Sequence, residues 1–141
     1  MSILIKSSFL LALMATLGSL YFGEVLKFPP CTLCWYQRIC MYPLVVIFGS
    51  ALWTGDEKYF RNSLPLSLLG LFIASYHNLL YYGLIPDSIT PCSQGVSCTS
   101  KQVEIFGFLT IPLMAWISFL ALSILGILAL KASKKNLTEK Q

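Results

Sequence analysis

Charge is what this chain has least of. Aspartate, glutamate, lysine and arginine make up 11% of its 141 residues, against roughly 25% in soluble domains. Beside 56% hydrophobic residues and a mean hydropathy of +0.72, that scarcity excludes an ordinary soluble fold, whose core could not use so much apolar surface. Also missing is any repeat of 20–50 residues or low-complexity tract, so nothing points to a repeat array. The excess of basic over acidic residues, ten against six, forms no stripe interleaved with polar surface. Nucleic-acid binding, which needs such a stripe, is excluded with it.

What the chain does have is long uncharged runs, at residues 7–23, 39–55, 62–86 and 105–130. A helix crosses the hydrocarbon layer in about 20 residues. The runs, extended or trimmed at their interfacial ends, predict spans near 7–26, 39–55, 64–84 and 106–130. Between them lie turn-rich stretches, "TGDEKYFRNS" after the second and "IPDSITPCSQGVSCTSKQ" after the third. The expected fold is therefore an all-α membrane protein, a single four-transmembrane-helix bundle over 1–141 with no soluble domain. The first run, preceded by Lys6, has the apolar core of a signal peptide, but "LGSLYFGEVL" offers no small-x-small cleavage site, so it reads as a retained span.

Orientation follows from the basic residues near the spans. With both termini cytoplasmic, the inner side carries Lys6, Lys58, Arg61, Lys131, Lys134, Lys135 and Lys140, and the outer side Lys27, Arg38 and Lys101. Seven against three favours that arrangement. It puts four of the five cysteines, Cys31/Cys34 and Cys92/Cys98, on the extracytoplasmic face, where disulfides persist.

The first pair sits in "KFPPCTLCWYQRIC". Pro29 and Pro30 suit the entry to a helix, where their missing N–H groups would be unpaired anyway. The second helix is thus expected to begin near Cys31. A cysteine there meets unpaired N–H groups and the positive end of the helix dipole, both of which favour thiolate. Cys31, Cys34 and Arg38, at i, i+3 and i+7, share one helical face, so the guanidinium can stabilise a sulfur anion or donate to an acceptor oxygen. The alternative is a structural disulfide, with Arg38 snorkelling to the interface. A four-cysteine zinc site is disfavoured, because five residues separate Cys92 from Cys98 where two to four are usual. The second pair, in "PCSQGVSC", is either a loop staple or an accessible disulfide open to attack by a thiolate. Beside a C-x-x-C on the same face, a relay is the better reading.

"PCTLCWYQR" at the second span, the loop pair between the third and fourth, "SYHNLLYYG" in the third and "FGFLTIPLMAW" entering the fourth together resemble the DsbB family of membrane thiol–quinone oxidoreductases. The similarity is greatest to its short BdbC-like members from Gram-positive bacteria and covers nearly the whole chain. Cysteine order separates it from vitamin K epoxide reductase-like proteins, in which the loop pair comes first. The resemblance implies an enzyme of the bacterial cell membrane that reoxidises a DsbA- or BdbD-like thioredoxin-fold thiol oxidase and passes electrons to menaquinone or ubiquinone. By position, Cys92 would form the mixed disulfide with the partner and Cys98 complete the shuttle pair. Cys31 and Cys34 would be the pair that quinone keeps oxidised, with Cys34 facing it and Arg38 supporting its binding. Two departures stand out: the loop between Cys92 and Cys98 is much shorter than in Gram-negative members, and residue 37 is Gln where those often carry Glu.

His77, the only histidine, lies about 10 Å below the outer end of the third span, in the leaflet of Cys34 and Arg38. An ionisable residue there is a functional candidate, and the resemblance assigns it to the quinone site, against the alternative of a packing histidine. Trp35 and Tyr36 are candidates for the same site through their position, though aromatic residues at the interface are expected in any such protein. Cys40, half a turn from Cys31, faces elsewhere and reads as a small buried hydrophobe. Pro112 is expected to kink or delay the fourth helix. The structural and metal-binding alternatives remain a membrane bundle with inert cysteine pairs.

Overall fold

The computed structural model describes residues 2–56, 58–86, 98, 104–105 and 109–139. Four long helices make up nearly all of it: α1 (Ser2–Leu20), α2 (Thr32–Thr54), α3 (Lys58–Tyr81) and α4 (Ile111–Glu139). A wider π-helical turn, Tyr21–Val25, continues α1. A short antiparallel ribbon, β1 (Glu104–Ile105) with β2 (Leu109–Thr110), precedes α4. In space α1 packs on α2 and α4, and α3 on α2 and α4.

The helix ends follow local chemistry. Cys31 is the N-cap of α2, with φ −71° and ψ 169°, and its sulfur accepts the Cys34 N–H at 3.4 Å. Gly55, at φ 68°, closes the same helix in the left-handed conformation that glycine adopts without steric cost, its N–H bonded to Ala51 O at 2.8 Å. The fourth helix does start late. Residues 109–110 are still extended, and α4 begins at Ile111 with Thr110 Oγ1 accepting from Leu113 N at 3.4 Å. Pro112 therefore falls in the first turn, where no helical N–H is needed.

The core joins all four helices: Ile5 and Ala12 of α1, Leu44 and Phe48 of α2, Phe60 and Ala74 of α3, Phe119 and Leu122 of α4. Small residues let backbones approach, as in membrane bundles. Gly70 faces Phe119 so closely that a Cβ at residue 70 would overlap the ring. Most polar side chains inside are bonded locally or across helices, Ser8 Oγ, Thr16 Oγ1 and Asn78 Oδ1 excepted. Ser63, Ser67 and Ser123 donate to carbonyls three or four residues back. Trp116 Nε1 donates to Ser75 Oγ at 2.9 Å, and Asn78 Nδ2 to Pro112 O at 2.9 Å, fastening α4 to α3. Large apolar side chains point the other way, among them Leu10 and Leu17, Val46 and Trp53, Leu69 and Phe72, Ile124 and Leu128. Such a surface suits hydrocarbon rather than water.

Among the described residues three segments are long and apolar enough to cross a membrane: Ser2–Val25, Lys58–Tyr81 and Ile111–Lys135. The 23 residues of α2 give a helix of about 34 Å, also long enough, but Gln37 and Arg38 dilute its apolar character. The four-span expectation rests on that helix.

Candidate functional site

The N-terminal turns of α2 bring two groups of residues together, one on each side. On the first side is a cavity of about 160 Å³ lined by Met14, Ala15, Ser19, Phe22 and Gly23 of α1 and its π turn, Phe28 and Pro30 of the connector, Cys34, Gln37, Arg38 and Tyr42 of α2, and Met114, Ser118 and Phe119 of α4. Its wall is mainly apolar, with Cys34 and Arg38 as the reactive and charged groups. A dry cavity of ~150 Å³ accepts a benzene ring, so this one has room for an aromatic head group, with any tail left outside.

Arg38 is 9% exposed, and among the described residues no carboxylate pairs with it. The guanidinium is instead seated on α1. Arg38 Nε donates to Ser19 Oγ at 3.0 Å and Nη2 to Ser19 O at 2.8 Å. Gly23 makes the seat possible: a Cβ at that position would lie 2.5 Å from Nη2. The guanidinium carbon lies 5.6 Å from the Trp35 ring centroid, within cation–π range. Two donors are thereby occupied, and the rest of the five-donor fork is left for an oxygen or a sulfur anion in the cavity.

On the other side of the turn lies the second group. Cys31 packs with Leu33, Leu80 and Cys98 in one buried cluster. Cys31 and Cys34 are free thiols with their sulfurs 3.0 Å apart. Cys31 is pulled down from an ordinary thiol value of 9.0 to about 4, chiefly by the hydrogen bond from Cys34. Burial opposes the shift, and the His77 ring and the Cys34 N–H add to it. The reduced pair therefore holds its negative charge on Cys31. His77, 2% exposed, places Nε2 3.7 Å from Cys31 Sγ and 3.3 Å from Cys98 O, with Nδ1 3.2 Å from Gln37 Nε2. Cys98 is disulfide-bonded; Cys92 lies outside the described residues.

Of the residues singled out from sequence, then, Cys34 and Arg38 share the cavity, while Cys31, His77 and Cys98 gather behind it. Trp35 and Tyr36 are exposed and line no part of the cavity, although Trp35 touches Arg38 from outside. Cys40 is a free, buried thiol in the main core. Gln37, Ser19 and Gly23 were not legible as site residues; two small residues four apart on the first span were the only trace of the arginine seat. The ligand atoms of Cys31, Cys34 and His77 lie within 4.8 Å of one another, but Nε2 faces a carbonyl, which can only accept. It therefore carries its proton, and no imidazole lone pair is presented to an ion.

A helical membrane protein with an activated C-x-x-C at a helix entry, a disulfide-bonded cysteine behind it and a buried arginine before it belongs to the class of thiol–disulfide oxidoreductases. The comparison with known proteins is more specific. The sequence profile of the family "Disulfide bond formation protein DsbB" matches residues 3–129, and the chain belongs to that family. It is 45% identical to disulfide bond formation protein C of Bacillus subtilis (strain 168) over 134 residues, 95% of this chain and 96% of the relative. A probable disulfide formation protein of Metapseudomonas resinovorans is 41% identical over 126 residues, 89% and 88% of the two chains. The probable disulfide formation protein C 1 of Bacillus anthracis is 40% identical over 117 residues, 83% and 84%. No solved structure matches the chain.

Proposed function

We propose that the protein is a thiol:quinone oxidoreductase that reoxidises an extracytoplasmic thioredoxin-fold thiol oxidase of the DsbA or BdbD kind and delivers the electrons to menaquinone or ubiquinone. The whole chain acts as one integral domain. In this reading α2 also crosses the membrane, as the second of four spans, through residues 39–55, both termini are cytoplasmic, and both cysteine pairs face outward.

The observation that carries the reading is the division of one C-x-x-C between two surroundings. Cys34 opens on an apolar cavity with a buried arginine that has no carboxylate partner among the described residues, and Cys31 packs against Cys98. An apolar, ring-sized cavity with unspent guanidinium donors fits the head of a quinone, which when bound supplies a two-electron acceptor. The residues then have distinct tasks. Arg38 orients an acceptor oxygen and stabilises negative charge beside Cys34. Phe22, Phe28 and Phe119 keep water from the ring. Cys31, held as thiolate 3.0 Å from Cys34, is placed to close the disulfide on it. On the outer side, a partner thiolate attacks the Cys92–Cys98 disulfide at Cys92, and the reduced loop pair passes its electrons to Cys31–Cys34. Net flow requires each acceptor in the line to be the stronger oxidant.

The decisive experiment is anaerobic quinone reduction by the purified protein supplied with a reduced thioredoxin-fold oxidase, comparing wild type with Cys34→Ser. Stoichiometric reduction that disappears in Cys34→Ser is expected. Wild-type protein that reduces no quinone would refute the activity.

A further inference from the structure

The His77 ring has a definite proton arrangement, and its consequence reaches beyond the quinone cavity. Nε2 sits 3.3 Å from the carbonyl oxygen of Cys98. A carbonyl only accepts, so Nε2 is the N–H of the ring. The buried Gln37 amide lies 3.2 Å from Nδ1. With Nε2 as the N–H, Nδ1 accepts from the amide N–H of Gln37. Gln37 therefore holds the His77 ring in one orientation, with Nε2 turned to Cys98 and Cys31. The Nε2 proton in turn forks between the backbone of Cys98 and the sulfur of Cys31, 3.7 Å away.

We propose that Gln37 and His77 are positioning residues for electron transfer between the two cysteine pairs: the amide fixes the ring, and the ring N–H holds Cys98 beside Cys31. This rests on the relay proposed above, and its chemistry balances as follows. The Cys98 thiolate attacks Cys31, forming Cys31–Cys98 and breaking Cys31–Cys34, and Cys34 leaves with the electron pair and takes up a proton. The Cys92 thiolate then attacks Cys98, forming Cys92–Cys98 and releasing Cys31 as a thiolate. The loop pair is oxidised by two electrons and the C-x-x-C reduced by two. Of the two protons lost by the loop thiols, one ends on Cys34 and one leaves to solvent. His77 Nε2–H serves both stages, aligning Cys98 for attack and then donating to the Cys31 anion. The ring N–H does this by hydrogen bonding alone, without contributing a proton of its own.

The test uses the full chain in detergent with Cys34→Ser, Cys92→Ser and Cys40→Ala, which leaves Cys31 and Cys98 as its only thiols. The dithiol oxidant diamide supplies the two-electron acceptor, and formation of the Cys31–Cys98 bond is followed by alkylation and mass. Adding His77→Phe is expected to slow the bond at least tenfold, and Gln37→Leu at least threefold. His77→Gln, which restores an N–H donor of similar reach, should stay within threefold of the parent. Undiminished bond formation in His77→Phe would overturn the proposal. So would a His77→Gln rate as low as that of His77→Phe, since volume rather than the N–H would then be at work. If His77→Phe fails to fold, judged by helical circular dichroism and elution, the Gln37→Leu and His77→Gln rates decide by the same limits. Neither quinone nor partner takes part. Failure here with quinone reduction intact removes the positioning role alone, whereas a parent that forms no Cys31–Cys98 bond removes the inter-pair step and the positioning role together.

Discussion

Replacing Gly23 by alanine tests whether the seat of Arg38 matters to the chemistry at Cys34. The added Cβ would stand 2.5 Å from Nη2 and 3.3 Å from both Cζ and Nη1. Restoring ordinary van der Waals separation of about 3.5 Å means moving the guanidinium by about 1 Å. It cannot swing freely, because Nε and Nη2 are both bonded to Ser19, at 3.0 and 2.8 Å. A shift of that size breaks at least one of these bonds, and a hydrogen bond from a charged donor is worth about 1.5–3 kcal/mol. If that loss falls on the step that Arg38 supports, kcat/KM for quinone drops roughly 10- to 150-fold. The assay is steady-state quinone reduction over a range of quinone concentrations, with Gly49→Ala as the control. A Cβ at Gly49 meets the Phe9 ring at an ordinary 3.5 Å, so that variant should behave as wild type. Ser19→Ala should lose less than Gly23→Ala, because the Ser19 carbonyl remains as an acceptor. A Gly23→Ala protein with wild-type kcat/KM would refute the dependence of Arg38 on close approach of α1.

Three other outcomes follow from the same geometry. Gly70→Ala should destabilise the bundle by about 1–3 kcal/mol through overpacking against Phe119, seen as a lower unfolding midpoint in detergent and partly reversed by Phe119→Leu. Because Cys31 is depressed to about 4, its thiolate is present above that pH and lost below it; the ultraviolet thiolate absorbance of the reduced protein should fall through a midpoint near 4. Cys34→Ala, which removes the largest cause, should raise that midpoint toward the ordinary thiol range, and an unchanged midpoint would contradict the assignment. Trp116→Phe deletes the bond to Ser75 and should cost about 0.6 kcal/mol, the average for polar contacts between membrane helices, measured by the same unfolding assay.

What the linear chain determined by itself was whatever depends on neighbours in sequence. Uncharged runs between polar turns predicted the helices, since length and hydropathy are local properties. The proline pair announced the entry of α2, because the N–H groups that proline lacks have no helical partner at a helix entry anyway, and Pro112 the late start of α4. Spacing alone put Cys31, Cys34 and Arg38 along one side of a helix, and "PCTLCWYQR" with the cysteine order carried the family. Lipid-facing and core-facing residues, by contrast, were not separable: both are apolar here, so no amphipathic stripe marks the inside, and only packing tells Leu44 from Val46.

The tertiary structure decided how the site is divided. One turn of helix separates Cys31 from Cys34, yet packing of α1 and α4 gives Cys34 an apolar cavity while α3 gives Cys31 a histidine and the buried Cys98. His77 shares a depth with Arg38, as its place in the third span implied, but depth does not say on which side of α2 it lies. The seat of Arg38 depends on a π turn and on a glycine fifteen residues earlier in the chain, and Gln37 joins the two sides by lining the cavity and bonding His77. Such contacts arise between helices, where the position of one side chain is set by the rotation and approach of another element. Spacing within a single helix carries no record of that.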